Sequence, residues 1–290
     1  MNSKGLIFDK LVLNEVFYMN INELNYKKLR DDGFIKVNNF LNNEETNKIR
    51  EIVKFYDSTK GEKETHFCTN NKNKLLKLIK LDFKKVIDSN YLINIALKKK
   101  MSDISGKLFE AKSYLNMIDG YCSPKSNNDV LPWHIDQAYN NKEIVKKIHI
   151  PDNFKYKFFI FLTNVGPNNG CTSYIPGSHK ITYAIRKGLY DKSLTYSPHW
   201  SLKNLRLFIK KKENYKFIVS FLKDENLIKN FLEITKFADL DVESNNFDYE
   251  AKSGDAIIFN EGGVHKGSKT SLNERIVLRY LYSVKKSSIF

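Results

Sequence analysis

Cysteine is scarce in this chain: Cys68, Cys122 and Cys171 are the three in 290 residues, and no two form a C-x-x-C pair. An odd, scattered set argues against both a disulfide framework and a thiolate zinc site, and it suits a reducing compartment, so the expected localisation is cytoplasmic. Long apolar runs are missing too. Lys4, Asp9, Lys10, Asn14 and Glu15 interrupt the first 20 residues, leaving no apolar core for a secretory signal. No later window approaches the roughly 18 consecutive apolar residues of a membrane span, so no membrane insertion is expected. Acidic residues are in deficit, 33 against 48 Lys and Arg, for a net charge of +15. The excess is spread along the chain, with no arginine-rich block or nucleic-acid motif, and reads as solvated surface. Nucleic acid is therefore not an expected partner, whereas an anionic or carrier-bound small-molecule substrate is mildly favoured.

What is present in quantity is aromatic: 20 Phe and 16 Tyr within a 41% apolar composition. A chain of this kind buries a substantial core, and all-β barrels and sandwiches reach this length as one unit. No internal repeat or Gly/Ser/Pro-rich linker divides it, so residues 1–290 are expected to form a single domain. Its first part, 1–106, reads as a mostly helical scaffold. Residues 22–31 suggest a short helix stopped by Gly33, Phe34-Ile35-Lys36-Val37 a strand, and Asn42 or Asn43 the cap of a helix over about 44–57. There Ile49, Ile52, Val53 and Tyr56 recur at helical spacing behind Glu44 and Glu45. Residues 58–74 are polar and read as loop, and 75–100 as one or two helices.

From about residue 107 the period changes. Ala111–Ile118, Tyr156–Val165, Cys171–Ile175, Ala256–Phe259 and Ile276–Val284 alternate or are continuously apolar, and turn residues such as Gly166-Pro167, Pro176-Gly177 and Gly262-Gly263 separate them. This pattern predicts an antiparallel sandwich or barrel over 107–180 and 252–284. Between them, 181–251 returns to helical spacing and reads as a helical insertion or lid.

Trp133-His134-Ile135-Asp136 follows a polar stretch and sets a histidine and an aspartate two residues apart. In extended chain both side chains point to one face. A third ligand must come from elsewhere, and His265, beyond the apolar run Ala256–Phe259 and the Gly262-Gly263 turn, is the best placed. Two imidazoles and a carboxylate on one face of an octahedral iron(II) leave positions for a bidentate 2-oxo acid and for O2. Arg275 opens the strand ten residues after His265, and its planar fork suits the far carboxylate of such an acid. Arg279 shares the strand face by parity and competes for that role.

The chain resembles the phytanoyl-CoA dioxygenase-like branch of the iron(II)/2-oxoglutarate oxygenases. The resemblance rests on Trp133-His134-Ile135-Asp136-Gln137, on the run Asn169-Gly170-Cys171 through Pro176-Gly177-Ser178-His179-Lys180, on Ser253-Gly254-Asp255 through Phe259, and on His265 followed by Arg275. It implies a mainly β fold with flanking helices: a double-stranded β-helix, the cupin-like jelly roll. It also implies Fe(II) on His134, Asp136 and His265, with 2-oxoglutarate as co-substrate, O2 as oxidant and Arg275 as co-substrate anchor. Gln137 and Ser173 within these motifs, and Asn116 on the strand before them, are expected to contact the co-substrate. The chain departs from the family at Ile135, where members often carry glutamine.

The implied activity is hydroxylation of a small-molecule metabolite, with succinate and CO2 released. Related halogenases lack the carboxylate that Asp136 supplies, so halogenation is disfavoured. Desaturation, cyclisation or epimerisation at the same site, and a non-catalytic jelly-roll binding protein, are the competing readings. His179 is expected to shape a loop near the site, and His66, His149 and His199 to be surface residues.

Overall fold

A computed structural model describes residues 25–61, 64–69, 83–136, 155–244 and 246–284. Helix α1 (Tyr26–Asp32) starts at Asn25, whose side chain accepts from the Lys28 amide, and ends at Gly33, which takes φ 85° as its left-handed cap. Strand β1 (Phe34–Val37) follows. The cap of α2 (Asn43–Lys60) is Asn42, in a reciprocal box with Glu45 that satisfies two otherwise orphaned amides. Residues 64–69 correct the loop expected over 58–74: they form strand β2 (Glu64–Thr69). Its alternation is masked by polar residues, and strand form comes from pairing with a neighbour. Helices α3 (Phe83–Lys98) and α4 (Met101–Phe109) complete this part, and residues 75–82 of the expected helical region lie outside those described.

The strands that follow are β3 (Tyr114–Ser123), β4 (Ser126–His134), β5 (Tyr156–Phe161) and β6 (Thr172–Tyr174). Four helices come next: α5 (Ser178–Tyr190), α6 (Leu202–Lys210), α7 (Lys212–Leu222) and α8 (Glu225–Ile234). The chain then returns to strand with β7 (Asp248–Tyr249), β8 (Ala256–Asn260), β9 (His265–Thr270) and β10 (Arg275–Ser283). Two sheets result, ordered β1-β8-β5-β10-β3-β2 and β4-β9-β6-β7, and their pairings are antiparallel. Strands β4 and β9 were not foreseen as strands over their full length. The first is a polar sheet edge and the second, His-Lys-Gly-Ser-Lys-Thr, lacks an apolar period.

The large sheet is apolar on both faces because both are covered. Phe158, Ile160, Ile258, Ile276, Leu278 and Tyr280 pack outward against Leu29, Ile49, Val53, Leu92 and Ile104 of the helices. Phe159, Phe161, Ile257, Phe259 and Val277 face inward, where Tyr174 of the small sheet meets them. Each such side chain contributes about 1.5–3 kcal/mol when fully buried. A separate cluster joins the helices α5–α8 to Ile175 and to Ile135 and Val264, which neighbour His134, Asp136 and His265 in sequence. The jelly-roll expectation therefore matches the observed architecture: two antiparallel sheets with the site between them.

Candidate metal centre

His134 ends β4, and His265 begins β9. The two are direct cross-strand partners, with ring centroids 4.3 Å apart. The register between β4 and β9 shifts by one residue between Leu131 and His134, a bulge that contains Pro132. Proline is tolerated there because β4 is a sheet edge. The carbonyl of Pro132 accepts from Nδ1 of His134 at 2.7 Å, and the carbonyl of Gly263 accepts from Nδ1 of His265 at 2.8 Å. A carbonyl only accepts, so each Nδ1 carries a proton, and Nε2 is the ring nitrogen each histidine has left for a metal. Nε2 of His134 is buried without a hydrogen-bond partner.

Both Nε2 atoms face Asp136, which follows β4 by two residues. Nε2 of His134 lies 3.6 Å from Oδ1, and Nε2 of His265 lies 3.4 Å from Oδ2. Two bonds of about 2.0–2.2 Å to a shared ion span such separations. Burial pushes the His265 imidazole down to about 4, which keeps it neutral, the form that binds metal. Burial alone would raise the Asp136 carboxyl, but Lys157 and His265 outweigh it and hold the group well below the ordinary aspartate range. An orphaned His134 nitrogen, two Nδ1 atoms held by carbonyls and an ionised carboxylate fit a divalent cation, and the donor set of two nitrogens and one oxygen fits iron(II).

The three residues line a cavity of about 320 Å3 that also receives Tyr121, Phe159, Phe259, Lys157 and Arg275. Arg275 is only 3% exposed. Its Nη1 donates to the Gly170 carbonyl at 3.1 Å, its Nε has no partner, and its guanidinium carbon lies 5.4 Å from the Phe159 ring centre. No carboxylate lies within ion-pair distance of it among the described residues. The competing Arg279 is already engaged: Nε donates to Asp119 Oδ1 at 2.8 Å, and Nη2 lies 3.5 Å from Glu64. The cavity thus holds one buried guanidinium with capacity for an incoming carboxylate.

Other sequence expectations fall elsewhere. Ser173 donates to Asp248 and Asn116 to Ser283; neither lines the cavity, because strand alternation turns each away from it. Gln137 and His149 lie outside the described residues. His199 is a correction: it is 2% exposed, its ring centre lies 5.2 Å from that of Phe208 on α6, and its Nδ1 donates to the Ser197 carbonyl at 2.8 Å. His66 is another, being partly buried beside Glu64 and Asp119 at 3.8 Å each. Those three residues could surround an ion, but Arg279 already supplies the positive charge between the two carboxylates, so the group is an ion-pair network. His179 sits at the start of α5, its Nε2 donating to the Arg30 carbonyl at 3.0 Å, and burial pushes it down to about 4. Sequence reading missed Lys157, whose Nζ donates to Asp136 Oδ2. The available signal was a lysine at the inward parity of an otherwise apolar strand.

The geometry agrees with what the chain is similar to. No curated protein matches it significantly. Among solved structures, the epimerase SnoN, crystallised with Fe3+, alpha ketoglutarate and nogalamycin RO, aligns at a TM-score of 0.53 and 12% identity, covering 91% of this chain and 83% of its own. The carbocyclase SnoK from nogalamycin biosynthesis aligns at 0.53 and 14%, covering 90% and 85%. HygX from Streptomyces hygroscopicus, with nickel and 2-oxoglutarate bound, aligns at 0.53 and 12%, also covering 90% and 85%. At these identities the likeness establishes the fold. The family model for phytanoyl-CoA dioxygenase (PhyH) matches residues 29–277, which takes in His134, Asp136, His265 and Arg275 and most of the helical scaffold, and so the chain belongs to the phytanoyl-CoA dioxygenase family.

Proposed function

We propose that the protein is an iron(II)- and 2-oxoglutarate-dependent dioxygenase that hydroxylates a small-molecule metabolite and releases succinate and CO2. One observation carries the reading: the imidazoles of His134 and His265 and the carboxylate of Asp136 converge in the same cavity as a buried guanidinium that has no carboxylate within ion-pair distance among the described residues. His134, Asp136 and His265 would hold the iron, and Arg275 the distal carboxylate of 2-oxoglutarate. The iron, with 2-oxoglutarate and O2, supplies the oxidising power for attack on an unactivated C–H bond. The chain's own residues orient and exclude. Phe159 and Phe259 wall the cavity with apolar surface, and Tyr121, pushed up to about 12 by burial, stays neutral beside Arg275. Trp200, 5.4 Å from the His134 ring, brings the α5–α8 region to the edge of the site. We assign that region, within 181–251, to substrate selection.

The same residues would serve epimerisation or cyclisation, outcomes named for SnoN and SnoK. An anionic or carrier-bound substrate suits the +15 charge. Free Cys68, Cys122 and Cys171 support a cytoplasmic setting, and no helix among the described residues is long and apolar enough to cross a membrane.

The test is a paired measurement. Manganese binding is read by calorimetry, and conversion of 2-oxoglutarate to succinate is read with iron(II). His134→Ala, Asp136→Ala and His265→Ala should each abolish both. Arg275→Ala should leave metal binding intact and weaken 2-oxoglutarate by roughly tenfold or more. Wild-type metal affinity in His265→Ala would sink the triad, and metal and co-substrate binding without any turnover across a substrate panel would favour the non-catalytic reading.

A further inference from the structure

Lys157 has no task in the scheme above, yet its ammonium touches a metal ligand. It stands on β5 at the same parity as Phe159 and Phe161, so it points inward between the sheets, and it is 6% exposed. A buried ammonium persists only beside negative charge. Its partner is Asp136, but on the proposed function that carboxylate also serves a divalent ion, and one negative charge does not neutralise both. The site as built therefore calls for a second anion next to Lys157.

Register shows where that anion would lie. Lys157 is opposite Leu281 on β10, while Phe161 is opposite Val277. Arg275 is six residues from Leu281, about 20 Å along the strand. The two cationic side chains thus enter the cavity from opposite ends of one strand pair. Along that pair lie the rings of Phe159 and Phe259, with centroids 6.2 Å apart, and Arg279, which is opposite Phe159 and already paired with Asp119; the Arg275 guanidinium carbon is 5.4 Å from the first ring, and Lys157 Nζ is 5.6 Å from the second. Lys157 beside the Asp136 carboxylate and Arg275 remote from it, each at one end of the aromatic stretch, match a dicarboxylate that chelates at one end only.

We propose that Lys157 binds the metal-chelating carboxylate of 2-oxoglutarate, as Arg275 binds the distal one. The inference rests on the proposed function, and the two are separable by experiment. Wild-type, Lys157→Met, Lys157→Gln and Arg275→Met proteins, saturated with manganese, are titrated calorimetrically with 2-oxoglutarate and with 2-oxobutyrate, a 2-oxo acid without a distal carboxylate. Thermal unfolding checks that each variant folds, and Lys157→Gln, which keeps a donor to Asp136, stands in should Lys157→Met not fold.

Both Lys157 variants should lose roughly ten- to a hundredfold affinity for both acids alike. Arg275→Met should lose 2-oxoglutarate affinity and leave 2-oxobutyrate unchanged. Unchanged 2-oxobutyrate affinity in the Lys157 variants would overturn the proposal. So would a loss confined to a parallel titration of manganese alone, which would make Lys157 a positioning residue for Asp136. Failure of the manganese-loaded wild type to bind 2-oxoglutarate would overturn the proposed function itself.

Discussion

At the scale of single residues, the site depends on close backbone approach as much as on its ligands. Gly170 takes φ 72°, and a Cβ there would lie 2.8 Å from Cδ and 3.0 Å from Cβ of Arg275. Its carbonyl is also the acceptor for Arg275 Nη1. Gly170→Ala should therefore cost about 1–2 kcal/mol of stability from the left-handed conformation and displace the guanidinium. The co-substrate KM should rise several-fold with little change in metal affinity, and steady-state kinetics paired with manganese calorimetry checks this. His134, Asp136, His265 and Arg275 could be picked out in the sequence because ligand chemistry demands particular residue types at particular offsets. Lys157 could not, since a lysine among phenylalanines reads as surface until strand parity is known. Arg279 remains a competitor of Arg275 in the sequence, because the partner that engages it, Asp119, lies 160 residues away.

At the scale of elements, α6 is tied to the end of α8 and the turn beyond it by one arginine. Arg206 on α6 is 2% exposed; Nε and Nη2 donate to the two oxygens of Asp239 at 2.8 and 2.6 Å, and Nη1 donates to the Leu232 carbonyl and Thr235 Oγ1 at the end of α8. Those contacts, with Lys210 beside them, hold the Asp239 carboxyl far below its ordinary range. Asp239→Ala would leave a buried guanidinium short of its counter-charge and should destabilise the protein by about 3 kcal/mol, measurable by urea unfolding. The linkage runs in the usual carboxylate sense: the stabilisation is present above the unfolded aspartate pKa and is lost as pH falls through the depressed folded value. Helices α6 to α8 were readable from apolar spacing. Strands β2, β4 and β9 were not, because an edge strand and a strand of lysine, serine and threonine carry no period-two signal, and their form is imposed by the sheet.

At the scale of the whole molecule, the triad belongs to the small sheet and its loop, while Arg275 and Lys157 belong to the large one. Metal should therefore stabilise chiefly the small sheet, and metal with 2-oxoglutarate should brace the two sheets against each other. A thermal melt should rise with manganese and rise further when 2-oxoglutarate is added. At a hundredfold excess over Kd each ligand is worth about 2.7 kcal/mol, and a chelator should reverse both steps. An unchanged melt with the second ligand would mean that the sheets are not bridged. The cross-strand pairing of His134 with His265 has a further consequence. In a strand pair, sliding by one residue turns every side chain to the opposite face, and β9 has little apolar patterning of its own to resist such a slide. The two imidazoles meet only in one alignment, so a chain that zips β9 out of frame would have no ligand set and would gain nothing from a metal. Single-residue insertions or deletions between Asn260 and His265 should accordingly be more damaging than substitutions there.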